Sequence, residues 1–275
     1  MNPLLPQDLD MSIPSVPTPS QAILHTLVNA DGSATYVAPN NTYTIVAGVN
    51  YPVEVPYRSD EIPESTLIEV NLRPHNGIGM VRERHVEQLV RRTLQTVVLT
   101  EESPRTMLQL TLQVVGVESD ESLPGGVKEG GQGESYLDLL ASSVNAAVLG
   151  CLDAGVQMSQ LTGAVLIGVG PDGALVPSPG VRQRKKCTSL HVFGFIGNGD
   201  LVLVESEGRF KLEQWKAAGE IARALVLGKT GTTTGADVAM DGLVPDEQSQ
   251  SSSVMDVMRK AVEARVAQDE RWRGG

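Results

Sequence analysis

Two alternating stretches with an amphipathic run between them constrain this chain more than any other feature. In IEVNL, Ile68, Val70 and Leu72 alternate with Glu69 and Asn71; in MLQLTLQVV, Leu108, Leu110, Leu112 and Val114 alternate with Gln109, Thr111 and Gln113. Successive strand side chains point to opposite faces, so each stretch predicts a strand with one buried face. Between them Val86, Leu89, Val90, Leu94 and Val97 recur at helical spacing, while Arg84, Glu87, Gln88, Arg91 and Gln95 point elsewhere. That pattern is an amphipathic helix, and strand, helix, strand calls for a sheet with a helix laid on it.

The rest of the chain extends this scheme. Residues 1–21, rich in Pro, Ser and Gln, predict a mobile arm, and residues 30–55 predict a hairpin around the turn Pro39-Asn40-Asn41. GVESDESLPGGVKEGGQGE, residues 116–134, is acidic and Gly-rich without apolar periodicity, and predicts a flexible insertion. Leu137, Leu140, Ala141, Val144, Val148, Cys151 and Leu152 form the stripe of a second helix ending at Gly155, with Ala146, Ala147 and Gly150 suited to close packing. AVLIGVG and ALV flank Pro171-Asp172-Gly173, and LHVFGFI and LVLVES flank Gly197-Asn198-Gly199-Asp200, which predicts two further hairpins. A third helix follows over about 211–227, then a linker at 229–253 and a last helix within 254–275 that needs a partner. The fold class is therefore α+β, with mixed β-sheets covered by α-helices, and the main domain spans 22–228.

The chain has 33 acidic and 22 basic residues and a formal net charge of -11, a field that repels polyanions and argues against an autonomous nucleic-acid binder. Its two cysteines show no CxxC spacing, which fits a reducing compartment, and no apolar run approaches the roughly 20 residues of a membrane span. GVGPDG at 168–173 has the letters of a dinucleotide loop, but strand-forming residues follow it where a helix is needed. Gly228-Lys229-Thr230 ends like a phosphate loop but follows a helix, with Arg223 where the first glycine belongs. The acids and the four histidines are scattered, so no metal site is expected. Positive charge gathers in two places: Arg73, Arg82, Arg84, Arg91 and Arg92 around the first helix, and Arg182, Arg184, Lys185 and Lys186 in VRQRKK. The first group could line one rim and contact phosphates, but the interleaved Glu83 and Glu87 favour ordinary surface charge or salt bridges between subunits; the second reads as a loop that touches RNA phosphates or an acidic partner, or is only solvated.

ADGSA followed by TYTIVAGVNYPVEV, then IEVNLRP, the helix ending RRTLQTVV, Pro104-Arg105-Thr106 and SSVNAAVLGCLDAGV resemble, in this order over roughly residues 28–227, the ribonuclease PH family. The resemblance is to ring subunits of the eukaryotic RNA exosome, and it implies the ribonuclease PH-like fold. Active members carry a GGTRT motif whose arginine holds the attacking phosphate. With the family's VDA placed on Leu152-Asp153-Ala154, that arginine becomes Leu140, with Leu139 and Ala141 beside it. Active members also carry two aspartates spaced six apart, which become Gln183 and Ser189; residues 173–199 contain no aspartate at all. A leucine cannot bind phosphate, and neither Gln183 nor Ser189 is a carboxylate.

The resemblance thus implies a non-enzymatic chain with no cofactor. It would be a scaffold of the ring and part of the RNA channel for 3′-to-5′ processing and degradation, including ribosomal RNA maturation. The implied partners are other ribonuclease PH-like ring subunits, RNA-binding cap subunits, a separate catalytic 3′-to-5′ exonuclease and single-stranded RNA. The implied location is the nucleus and nucleolus, also the cytoplasm. The alternatives are an active phosphorolytic exoribonuclease and an autonomous RNA-binding module.

Overall fold

The computed structural model describes residues 18–118, 135–228 and 253–274. The expected insertion and linker fall largely outside these residues, as does most of the N-terminal arm. In chain order the elements are β1 (Gln21–Leu24), β2 (Gly32–Val37), β3 (Tyr43–Glu54), β4 (Leu67–Arg73), α1 (Val81–Val97), β5 (Thr106–Val117), α2 (Leu137–Asp153), β6 (Thr162–Val169), β7 (Leu175–Pro177), α3 (Val181–Lys186), β8 (Ser189–Ile196), β9 (Leu201–Gly208), α4 (Leu212–Leu227) and α5 (Val254–Asp269). The strands form a five-stranded sheet ordered β1-β2-β3-β5-β4 and a four-stranded sheet ordered β7-β6-β8-β9. Within the first, β4 and β5 run parallel, joined through α1, and the other pairs are antiparallel.

Burial follows the residue patterns. The five-stranded sheet keeps the alternation of β3, β4 and β5: Ile45, Ala47, Val49, Val70, Leu108, Leu110 and Leu112 are buried, while Thr44, Val46, Asn50, Glu69, Gln109, Thr111 and Gln113 stay half-buried on the other face. In β6 all eight residues are buried, because α2 packs on one side of the second sheet and α4 on the other. One core joins the first sheet, α1 and α2 to β6 and β8 through Ala164, Leu166 and Val192. A smaller one joins Ile167 and Phe193 to Ala218, Ala222 and Val226 of α4. Residues of a sheet covered on both faces read as continuous apolar runs, those of a half-covered sheet as alternation.

Helix α2 sits against both sheets, and its small residues allow this. A Cβ on Gly150 would lie 3.0 Å from Val49 Cγ2 and 3.2 Å from Ala47 Cβ, closer than packed carbons tolerate. Helix α4 ends at Gly228 with φ 70°, a left-handed cap. Helix α5 begins with Ser253, whose Oγ accepts from the Asp256 amide at 3.1 Å. It buries Val254, Met255, Val257, Met258 and Ala261, lying against β1, β6 and α4.

Two elements depart from expectation. The short edge strand β1 lies in a stretch read only as the end of the arm and a lead-in; its four residues alternate too briefly to register by pattern, and pairing with β2 defines them. The basic run, read as a loop, is the six-residue helix α3, whose first turn closes when the Gly180 amide donates to Gln183 Oε1 at 3.2 Å.

Candidate functional site

The first turn of α2 meets β3 and α3 at Asp138, which is 6% exposed. Its Oδ2 accepts from the Tyr43 hydroxyl at 2.9 Å and from Arg184 Nη1, and its Oδ1 accepts from the Leu139 amide at 2.8 Å. The neighbouring Leu137 amide donates to Ser135 Oγ at 3.2 Å. The N-terminal amides of a helix attract anions, and here one of them is already bonded to the chain's own carboxylate. Burial pushes the Asp138 carboxyl above its ordinary value, against the opposing pull of Arg184, Tyr43 and the Leu139 amide. Burial is the largest influence on Arg184 and disfavours its charge, but Asp138, Tyr43 and Glu118 together outweigh it and hold the guanidinium above its usual range. The Arg184 side chain is 10% exposed, its Cζ lies 5.8 Å from the Tyr43 ring centre, and its Nε is buried without a partner.

Asp138 separates two small clefts. One, of about 30 Å³, is lined by Tyr36, Tyr43, Ser142, Asn145, Ser178 and Arg184; the other, of about 20 Å³, by Tyr43, His75, Arg82, Glu83 and Tyr136. Each has room for a water or two. Asn145 closes the floor of the first, donating to Tyr36 Oη at 3.1 Å and to the Ala164 carbonyl at 2.9 Å, and accepting from the Ala164 amide at 2.8 Å.

The three residues that the motif resemblance sets against the family's catalytic groups lie apart from one another. Leu140 is fully buried in the main core. Gln183 is exposed and caps α3. Ser189 is buried, its Oγ 3.0 Å from His191 Nε2, while His191 Nδ1 lies 2.8 Å from Ser206 Oγ, which accepts from Trp215 Nε1 at 3.3 Å. Phe210 meets the His191 ring edge-on at 4.6 Å between centres. Burial pushes the imidazole below its ordinary value, so the relay is neutral, as expected for a core histidine. No group of three or more His, Cys, Asp or Glu able to hold a metal occurs among the described residues.

The basic residues divide in ways that spacing did not reveal. Arg82, half-buried in the first turn of α1, lines the second cleft and acts on Asp138 from the other side than Arg184. Arg84 is tied to Glu87 at 2.9 Å, whose other oxygen accepts from the Leu72 amide at 2.7 Å. Arg73 and Arg92 are exposed; Arg91 is half-buried, its Nε enclosed without a partner. In α3, Arg182, Lys185 and Lys186 are exposed, whereas Arg184 turns inward. Grouping Arg184 with its neighbours as an outward phosphate contact is corrected: a six-residue helix has an inner side, and Asp138 holds Arg184 there.

Asp138 itself escaped the reading of the residues. In YLDLLA it looks like an ordinary first-turn acid. The available signal was its place one residue before Leu139, where GGTRT has glycine.

Against known proteins, the profile of the 3′ exoribonuclease family, domain 1, matches residues 20–157. The chain is 27% identical over 201 residues to the exosome complex component RRP46 of Saccharomyces cerevisiae, covering 70% of this chain and 84% of that one. It is 29% identical to the exosome complex exonuclease RRP46 homolog of Arabidopsis thaliana, covering 62% of each. Among solved structures, rice (Oryza sativa) Rrp46 superposes with a TM-score of 0.67 at 23% identity over 92% of this chain and 99% of that one. A chain of the Archaeoglobus fulgidus exosome with RNA bound to the active site gives 0.57 at 13% identity, covering 76% and 85%. The resemblance read from the motifs is borne out, and with half of its length matched by the profile, this chain belongs to the 3′ exoribonuclease (RNase PH) family.

Proposed function

We propose that this chain is a non-catalytic ring subunit of the RNA exosome, a scaffold for neighbouring ribonuclease PH-like subunits and part of the channel that leads single-stranded RNA to a separate 3′-to-5′ exonuclease. The carrying observation is the Asp138–Arg184 pair. The first turn of α2, where an active relative presents amides and an arginine to phosphate, holds a carboxylate of this chain with its own arginine countercharge. A second anion brought there finds the Leu139 amide and the Arg184 guanidinium already engaged by Asp138. Gln183 and Ser189 add no carboxylate to polarise an attacking group or hold a metal. The names of the relatives, exosome components and RRP46 homologues, support placement in the ring. Cap subunits, the catalytic exonuclease and the channel RNA are the partners this reading adds. Nucleus, nucleolus and cytoplasm are where it places the chain.

Two measurements test it. Co-expression with ribonuclease PH-like ring subunits should yield a complex that survives gel filtration; failure to join any of them overturns the ring assignment. Incubating the pure chain with single-stranded RNA, phosphate and Mg²⁺ should release no nucleoside diphosphate. Phosphate-dependent shortening of RNA that disappears on substituting a residue around Asp138 would establish an enzyme instead.

A further inference from the structure

The five-stranded sheet buries one face on α1 and α2, and no described helix packs on the other. Strand register assembles that open face row by row. Ile23, Thr35, Val46, Gln113 and Arg73 stand side by side across all five strands. Ser33, Gly48, Thr111 and Asn71 form the next row, where Ser33 is buried and its Oγ accepts from the Leu27 amide at 2.8 Å, so the loop after β1 covers that end; Asn50, Gln109 and Glu69 form the row beyond. On the opposite side of the first row, Gln21, Val37 and Thr44 are aligned.

The chemistry of this face is uneven. The only charges in these rows, Glu69 and Arg73, sit on the edge strand β4, and the three inner strands contribute Ser, Thr, Val, Gly, Asn and Gln. Exposed apolar residues gather at its margins: Ile23 at 61%, Leu27 at 41%, Val28 at 87% and Val115 at 50%. A sheet face meant for water alternates charged residues. A centre without charge, a charged or polar rim and exposed aliphatic side chains are the composition of a protein interface. Five strands about 4.8 Å apart and four rows about 6.8 Å apart give a projected face of roughly 500 Å². With the Leu27–Val28 rim this is the order of one side of a standard interface, about 800 Å².

We infer that the open face of the five-stranded sheet, centred on Val46 and Thr111, is a docking surface for a folded protein with a neutral, partly apolar surface: a neighbouring ring subunit. This rests on the ring-subunit reading. RNA fits the face poorly, because Arg73 is the one cation in these rows among the described residues and a polyanion needs several. A highly charged protein surface fits no better, since its charges would lose water with nothing opposite them.

The test uses the full chain co-expressed with ring subunits. Val46→Glu and Thr111→Glu should each weaken assembly at least tenfold, while Gln95→Glu on the exposed side of α1 leaves it unchanged; all are compared with wild type by circular dichroism. Hydroxyl-radical footprinting of the wild-type assembly supplies a measurement that needs no variant to fold: Ile23, Val37 and Val46 should become protected on joining the ring. Equal assembly by the face variants, or no change in the footprint within an intact ring, overturns the inference while leaving the ring assignment standing. A wild type that joins no ring subunit overturns both. Protection of these residues in the isolated chain would overturn it too. Its cause would be a second copy if protection is lost on dilution, or residues 1–17 if it is lost on their deletion.

Discussion

At the first turn of α2, Asp138 is met by Arg184, Tyr43 and the Leu139 amide. At its last turn, Asp153 is met by the Ser33 amide at 2.8 Å, His25 Nδ1 at 3.5 Å and Arg265 Nε at 3.7 Å. Both carboxylates are buried, but the helix field acts on them in opposite senses. An acid is favoured at a helix N-terminus and disfavoured at the C-terminus. Asp138 therefore fills a place that attracts an anion anyway, and the chain adds an enclosed arginine to it. Asp153 stands where an anion is repelled and is held by donors brought from β2, the loop after β1, and α5. The first is a closed site; the second is a strut joining the C-terminal helix to the core.

Breaking the first pair should have the largest effect. Asp138→Ala leaves Arg184, with its side chain 10% exposed, without the carboxylate it contacts, and removing one partner of a buried pair costs about 3–5 kcal/mol. Urea unfolding should show this as a fall in midpoint. The double variant Asp138→Leu with Arg184→Met should regain most of the loss, because the uncompensated charge goes with the arginine. A single variant as stable as wild type would mean that the pair is not formed in solution.

Asp153→Ala should cost less, about 1–3 kcal/mol, the range for a buried donor left unsatisfied. The Ser33 amide loses its acceptor, but the Arg265 and His25 side chains are 25% and 40% exposed and can return to water. The comparison between the two ends fails if Asp153→Ala proves the more destabilising. It sharpens if hydrogen exchange in Asp153→Ala rises chiefly in α5, and in Asp138→Ala chiefly in α3.

The third polar centre, Ser189–His191–Ser206, has no ionic partner and should respond to pH instead. Burial lowers the His191 pKa, so the unfolded chain binds a proton at higher pH than the folded one. Stability is then full above about pH 6.5, the ordinary histidine value, and declines as pH falls below it, by at most about 1.4 kcal/mol per pH unit. Melting temperatures between pH 7.5 and 5 should fall less steeply in His191→Gln than in wild type; parallel curves would remove His191 as the cause.

Much of this architecture was legible because burial imposes a period. The alternation in β4 and β5, the continuous apolar runs of β6 and β8 and the stripes of α1, α2 and α4 each report which faces are covered. The site was half legible. The proposal that Leu140, Gln183 and Ser189 replace catalytic groups comes from residue types set against the family pattern, and the structure adds where each of them lies. That Arg184 turns inward could not be read, because its choice among four consecutive cations depends on the phase of a six-residue helix, too short to leave a period. Its partner lies 46 residues earlier in sequence, and no local rule connects them. β1 was missed for the same reason: four residues acquire a strand's identity from their neighbour.

The smallest effect on stability belongs to the cations left outside. Lys185 and Lys186 are exposed on α3, beside an arginine that is not, so Lys185→Ala with Lys186→Ala should leave the melting temperature unchanged, in contrast to any change at Asp138. Their contribution, if they face RNA in the assembled ring, is electrostatic: each phosphate contact on a single strand contributes about 0.7 to the slope of log affinity against log salt. The double variant should lower that slope by about 1.4 when the assembled ring binds single-stranded RNA, with a reduced affinity at low salt that vanishes at high salt. An unchanged slope would assign these two lysines to solvent.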